Sequence, residues 1–98
     1  MRFVQIIEYR TSKLDEVRAL NEEWAATADD STATRVMECI DRNDPNRCFT
    51  IVEFPSYEAA MENSESARTK AMAEKMQALC DGPPTFYDLD LHEIRDLG

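Results

Sequence analysis

His92 is the only histidine in the chain, and imidazole is the side chain that changes charge near neutrality without help from its surroundings. It closes the pattern Asp88-x-Asp90-x-His92. Alternate residues of a strand share a side, so these three would stand together, with oxygen and nitrogen atoms suited to a divalent ion or to acid–base work. Successive members would lie roughly 7 Å apart along the strand. That is long for ligands that each approach a metal to about 2.0–2.2 Å. The wet side of an edge strand explains the pattern better, and no metal site is expected. Trp24 and Tyr57 pair aromatic surface with a polar handle, fit to line a ligand cavity or to sit in a core with the N–H or O–H satisfied. The Asn63 amide could hold a phenol or quinone oxygen, and equally could cap a break in a helix. Met37, Met61, Met72 and Met76 suit core filling or a plastic apolar pocket. Cys39 and Cys48 would approach each other across a hairpin whose turn is centred near Asn43-Asp44, as a reduced pair. With two glycines there is no phosphate-cradling glycine-rich loop, and neither a Ser-His-Asp order nor a paired catalytic carboxylate is apparent.

Composition narrows the classes. Ninety-eight residues give room for one core, so a single domain over 1–98 is expected. Apolar residues make up 43% and charged residues 32%, the mix of a folded globule and not of a disordered chain. Twenty acidic against eleven basic side chains give a formal charge of −9. That field repels phosphate backbones and anionic bilayers, so neither nucleic acid nor membrane is expected as a partner. The apolar run in MRFVQIIEYR is too short for a secretion signal, and no stretch reaches membrane-spanning length. Three cysteines without CxxC spacing speak for reduced thiols in a cytoplasm, against a disulfide framework or zinc.

The elements that must position these residues follow from periodicity. Arg2 to Tyr9 is rich in β-branched and aromatic residues and predicts a strand. Thr11 and Ser12 offer an N-cap, and Asp15 and Glu16 suit the positive end of a helix dipole. Leu14, Val17, Leu20, Trp24 and Ala28 recur every three or four residues, so Lys13 to Ala28 reads as an amphipathic helix ended by the polar cluster Asp29 to Thr32. Ala33 to Asp41 reads as a second strand, 42–46 (RNDPN) as a turn, and Arg47 to Phe54 as a third strand. Pro55-Ser56 opens a helical stretch that Asn63 to Ser66 interrupts. A further helix over Ala67 to Cys80 is closed by Gly82 at C′ and by Pro83-Pro84. Thr85 to Ile94 reads as the last strand.

Strand, helix, hairpin, helix, strand is the split βαβ order of α+β ferredoxin-like folds, an antiparallel sheet with its helices on one face. The uncovered face of such a sheet should turn polar in a monomer. Here the first strand is apolar on both sides, with Phe3, Ile7 and Tyr9 on one and Val4 and Ile6 on the other. The third repeats this, with Phe49 and Ile51 set against Val52 and Phe54. Two short helices cannot cover both faces. A second copy of the chain is the simplest cover, through a twofold contact of sheet on sheet.

This element order, the two-sided sheet and the segment Glu53 to Ser64 (EFPSYEAAMENS) resemble the dimeric α/β-barrel superfamily, and within it the antibiotic-biosynthesis-monooxygenase-like group. The resemblance implies a homodimer with a cavity in each subunit between sheet and helices. It also implies a function among cofactor-independent oxygenases of polyketide aromatics, haem-degrading enzymes and proteins without an assigned activity. The haem-degrading branch resembles a different residue set: an Asn where this chain has Gln5 or Ile7, a Trp near the second helix where this chain has Trp24 in the first, and a ligating His where Asn63 or Ser64 stands. Haem degradation is therefore not expected, and no cofactor is. Two functions stay open. One is a cofactor-independent monooxygenase for an aromatic or quinone-like metabolite, with Gln5, Trp24, Tyr57 and Asn63 lining its cavity. The other is a non-catalytic homodimer that holds a hydrophobic metabolite or a partner protein, for which no base is needed.

Overall fold

A computed structural model describes residues 1–26 and 32–98. The chain runs β1 (Phe3–Arg10), α1 (Leu14–Ala26), β2 (Arg35–Asp41), β3 (Asp44–Phe54), α2 (Tyr57–Glu65), α3 (Ala67–Leu79) and β4 (Thr85–Asp90). The four strands form one antiparallel sheet in the order β2-β3-β1-β4. This is the ferredoxin-like α+β arrangement. The end expected for the first helix at Ala28, and the polar cluster from Asp29 to Ser31, lie outside the described residues.

Strand pairing sorts the side chains onto two faces. Tyr9 opposes Cys48, Ile7 opposes Thr50, and Phe3 opposes Phe54. Phe3, Val52, Phe54 and Ala60 form one buried cluster; Tyr9, Val17 and Cys48 form a second, with Ile7, Leu14, Met76, Leu79 and Cys80 against it. The helices therefore pack on the Phe3–Tyr9 side. The other side carries Val4 and Ile6 of β1, Phe49 and Ile51 of β3, Met37 of β2, and Tyr87 and Leu89 of β4. Nothing among the described residues covers it, and Met37, Tyr87 and Leu89 stand exposed. The two-sided apolar character read from the sequence is present in the folded sheet.

Local chemistry sets the helix ends. The Lys13 amide donates to the Thr11 hydroxyl at 3.0 Å, while that hydroxyl donates to the Leu79 carbonyl at 2.7 Å. Thr11 is buried, so one side chain ties the start of α1 to the last turn of α3. Ser56 caps α2 by accepting the Ala59 amide at 3.1 Å. The interruption expected over Asn63 to Ser66 is confined to Ser66, which is extended, ends α2 by bonding the Asn63 carbonyl, and caps α3 by accepting the Thr69 amide. Cys80 is the C-cap of α3 rather than its last residue, and Gly82, at φ +140°, follows two residues later.

Three expectations need correction. The hairpin turn is Arg42-Asn43, not 42–46, and β3 begins at Asp44. Asp41 accepts the Asn43 amide at 2.8 Å and Asp44 the Asn46 amide at 3.1 Å, so the aspartates satisfy the backbone of a tighter turn and Pro45 falls on the strand. An irregularity between Ile40 and Asp41 then shifts the register, so that Cys48 opposes Ile40 and Cys39 falls on the other face. Cys39 is exposed and Cys48 buried, so they are not a facing pair; Cys80 shares the Cys48 cluster instead. Finally, β4 stops at Asp90, and His92 lies beyond the strand, outside its alternation. The backbone leaves the ladder after the Leu91 amide bonds the Arg2 carbonyl at 2.9 Å.

Candidate functional site

The helix-facing side of the sheet is not uniformly apolar. In β2 the residues on that side are Val36, Glu38 and Ile40, opposite Val52, Thr50 and Cys48 of β3. A carboxylate thus stands in an apolar row beneath α1. A cavity of about 230 Å³ opens there, walled by Leu14 and Val17 of α1 with Ile40 and Cys48 of the sheet. Polar groups enter from three elements: Tyr9 of β1, Glu38 of β2, and Arg18, Asn21 and Glu22 of α1.

Its electrostatics differ from the rest of the surface. Thr50 donates to Glu38 Oε2 at 2.8 Å. As a residue of an edge strand Glu38 is exposed overall, yet desolvation of its carboxyl raises its pKa above the ordinary carboxylate range, with the Thr50 bond opposing. Burial, reinforced by Glu38 and Cys48 nearby, pushes the Tyr9 phenol up to about 12, so it stays a hydrogen-bond donor. Burial also raises the Cys48 and Cys80 thiols, which keeps both protonated and poor nucleophiles.

The opposite face shows the reverse. Arg47 bonds Glu8 at 2.9 Å and Asp41 at 3.0 Å, and the Tyr87 hydroxyl donates to Glu8 at 2.9 Å. Arg35 bonds Glu53 at 2.9 Å. The Arg47 hydrogen bond, then that of Tyr87, holds Glu8 below its usual range, and the Arg35 bond does so for Glu53. A wide hollow of about 440 Å³ beside Arg2, Arg35 and Glu53 has its carboxylate already paired with Arg35 in this way.

The four residues expected to line a cavity are spread over β1, α1 and α2. Gln5 lies on the helix-facing side of β1, where its amide donates to Asp88 at 3.1 Å. Trp24 meets α3, with the Arg68 guanidinium 4.9 Å over its ring. Tyr57 packs edge-on against Phe3, ring centres 5.3 Å apart, with its own surface about half exposed at 48%. Asn63 sits in the last turn of α2, its carbonyl spent on Ser66. None of the four lines either cavity described above. No cluster of three metal-ligating side chains occurs among the described residues, Asp88, Asp90 and His92 included. Sequence reasoning missed Glu38. Its signal was the spacing Val36-x-Glu38-x-Ile40, an acid on the apolar side of a strand.

With the geometry in place, known structures give the fold its relatives. SnoaB, a cofactor-independent oxygenase from Streptomyces nogalater, superimposes in a variant form with a TM-score of 0.83 at 13% identity, over 95% of each chain. The fold is that of the antibiotic biosynthesis monooxygenase-like proteins. A second such monooxygenase matches with a TM-score of 0.76 at 18% identity, covering 95% of this chain and 100% of that one. A conserved protein from Methanosarcina mazei matches with a TM-score of 0.82 at 9% identity, over 91% of each. No family model and no curated protein matches the sequence. The monooxygenase-like fold is thus shared at sequence identities that carry architecture alone.

Proposed function

We propose that the chain is a homodimer that takes up a small aromatic or quinone-like metabolite and oxygenates it without a cofactor. The cavity beneath α1 carries this reading. Its 230 Å³ falls below the roughly 300–1,000 Å³ of drug-sized clefts, which suits two or three fused rings and excludes a haem. Apolar walls with polar groups converging from three elements are what such a ligand needs for both burial and orientation. Gln5 stands on the same sheet face, and we place it with Trp24, Tyr57 and Asn63 among groups that a larger ligand would reach along the helix layer.

In the reaction, a methylene between two rings loses a proton to give a carbanion, which transfers an electron to dioxygen and recombines with it. Collapse of the peroxide leaves a carbonyl; one oxygen atom enters the product and the other leaves as water with the two hydrogens. Oxygen is the only co-reactant. The apolar walls at Leu14, Val17 and Cys48 would shield the carbanion from water on the side of the sheet and α1. Dimerisation is supported by the uncovered face. Its carboxylates are paired within the chain, so two copies can meet there despite the overall charge of −9. Among the described residues no helix is long and apolar enough to cross a membrane, and the free thiols fit a cytoplasmic setting.

The test uses anthrone, a tricyclic ketone with such a methylene, and chelator-treated protein. Oxygen uptake above the buffer rate, with one labelled atom from ¹⁸O₂ in anthraquinone, is the expected result. Saturable binding of anthrone without uptake would leave a binding protein in its place. Neither binding nor uptake would overturn the reading.

A further inference from the structure

We propose that Glu38 is the proton acceptor of the cavity beneath α1, taking a proton from the weakly acidic C–H of the bound aromatic. This rests on the ligand reading above and adds the residue and the step. Glu38 differs from the arginine-paired acids of the sheet. Glu8, Asp41, Asp44 and Glu53 each have an arginine at 3.0 Å or less. Glu38 has no such partner among the described residues; its carboxylate is held by one hydroxyl, that of Thr50, on Oε2. Remaining lone pairs are free to receive a proton. A carboxylate locked to a guanidinium is a weak base, whereas one partly desolvated beside Ile40 and Val17 is a stronger one.

The step balances without a further reactant. The C–H bond breaks, its electron pair stays on the ligand as an enolate, and the proton forms an O–H bond on Glu38. Negative charge moves from the carboxylate to the ligand oxygen. Arg18 and the protonated phenol of Tyr9, both at the cavity, can meet it there. The groups facing Glu38 are Tyr9 from β1, Arg18 and Glu22 from α1, and Cys48 and Thr50 from β3.

Proton removal can be read apart from oxygenation by following deuterium exchange into the anthrone methylene in D₂O without oxygen. Wild type should accelerate exchange, with a rate that falls on the acid side at a pH above the usual carboxylate range. Glu38→Gln keeps an acceptor for Thr50 and should lower exchange by about 100-fold or more, the usual reach of a general base, while anthraquinone binding by calorimetry stays within a few-fold. Glu38→Asp should recover part of the rate. Thr50→Val removes the bond that favours the carboxylate and should move the acid limb to higher pH, which a purely structural role would not do. Exchange in Glu38→Gln within a few-fold of wild type, an unmoved limb in Thr50→Val, or no exchange in wild type would each overturn the proposal. Exchange without oxygen uptake would sink the oxygenase and keep the base; uptake indifferent to Glu38→Gln would do the opposite.

Discussion

A single glutamate on one face of the sheet should separate two subunits, and the same change on the other face should unfold the chain. Ile6 lies at the centre of the uncovered face, opposite Ile51 on one side and Tyr87 on the other. Met37, Tyr87 and Leu89 there are 37%, 43% and 46% exposed. Covering what remains of each gains roughly 1 kcal/mol, from about 1.5–3 kcal/mol for a whole apolar side chain. Twofold symmetry doubles three such contacts to roughly 6 kcal/mol, with smaller additions from Val4, Phe49 and Ile51. Association costs about 4–15 kcal/mol in lost freedom, so the margin is narrow. Ile6→Glu buries a charge that Arg47, committed to Glu8 and Asp41, cannot meet. An uncompensated buried charge costs about 3–5 kcal/mol, and about 1.4 kcal/mol is a factor of ten. The dimer should weaken more than 100-fold while the fold survives. Val52, 8% exposed in the cluster with Phe3 and Phe54, has no such escape. Sedimentation equilibrium at micromolar concentration should give wild type twice 11.3 kDa, Ile6→Glu a folded monomer, and Val52→Glu a loss of the cooperative melt. A wild-type monomer, an unweakened Ile6→Glu dimer or a folded Val52→Glu monomer would refute the argument.

Val17 is 1% exposed between α1 and the sheet, and Val17→Ala should cost roughly 2 kcal/mol, two carbons at about 0.8 kcal/mol each plus the void left behind. Chemical denaturation reads it as a lowered midpoint at unchanged slope. Because Glu38 holds its proton more tightly folded than unfolded, its effect on stability is unfavourable above the folded pKa and fades as pH falls through the ordinary carboxylate range. Glu38→Gln should therefore melt a little higher than wild type at pH 7–8 and equally near pH 4, with solvent at the edge strand keeping the gain small; a variant that melts lower at pH 7–8 would contradict this. Haemin should give no stoichiometric Soret shift, since the one histidine of the chain, His92, is exposed beyond β4. A tight histidine-ligated spectrum lost in His92→Ala would count against it.

How far the sequence could be read depended on whether one residue's pattern or several residues' convergence was at stake. Strand β1 announced itself because Phe3 to Tyr9 is apolar on both sides, and that same redundancy announced the uncovered face. The hairpin was misplaced by a few residues because Asp41, Asn43, Asp44, Pro45 and Asn46 are all turn formers. Only the hydrogen bonds from Asp41 and Asp44 to the backbone decide which two residues make the bend. The register shift between Ile40 and Asp41 decides the faces of Cys39 and Cys48, because one residue of register exchanges the two sides of a strand. The end of β4 was overrun for a similar reason: Leu89, Leu91 and Ile94 continue the apolar rhythm, but the pairing with β1 ends at Phe3 and Asp90, with one last bond from the Leu91 amide to Arg2. The candidate site was the least legible part. Trp24, Tyr57 and Asn63 drew notice by type, and the structure gives them a guanidinium, a ring edge and a helix end as neighbours. Glu38 is one of many acids by type. What distinguishes it is the sum of three placements: Thr50 across the ladder, the underside of α1 above, and no ion pair to an arginine among the described residues. A base is made by what surrounds a carboxylate, and those surroundings come from β1, β2, β3 and α1 together.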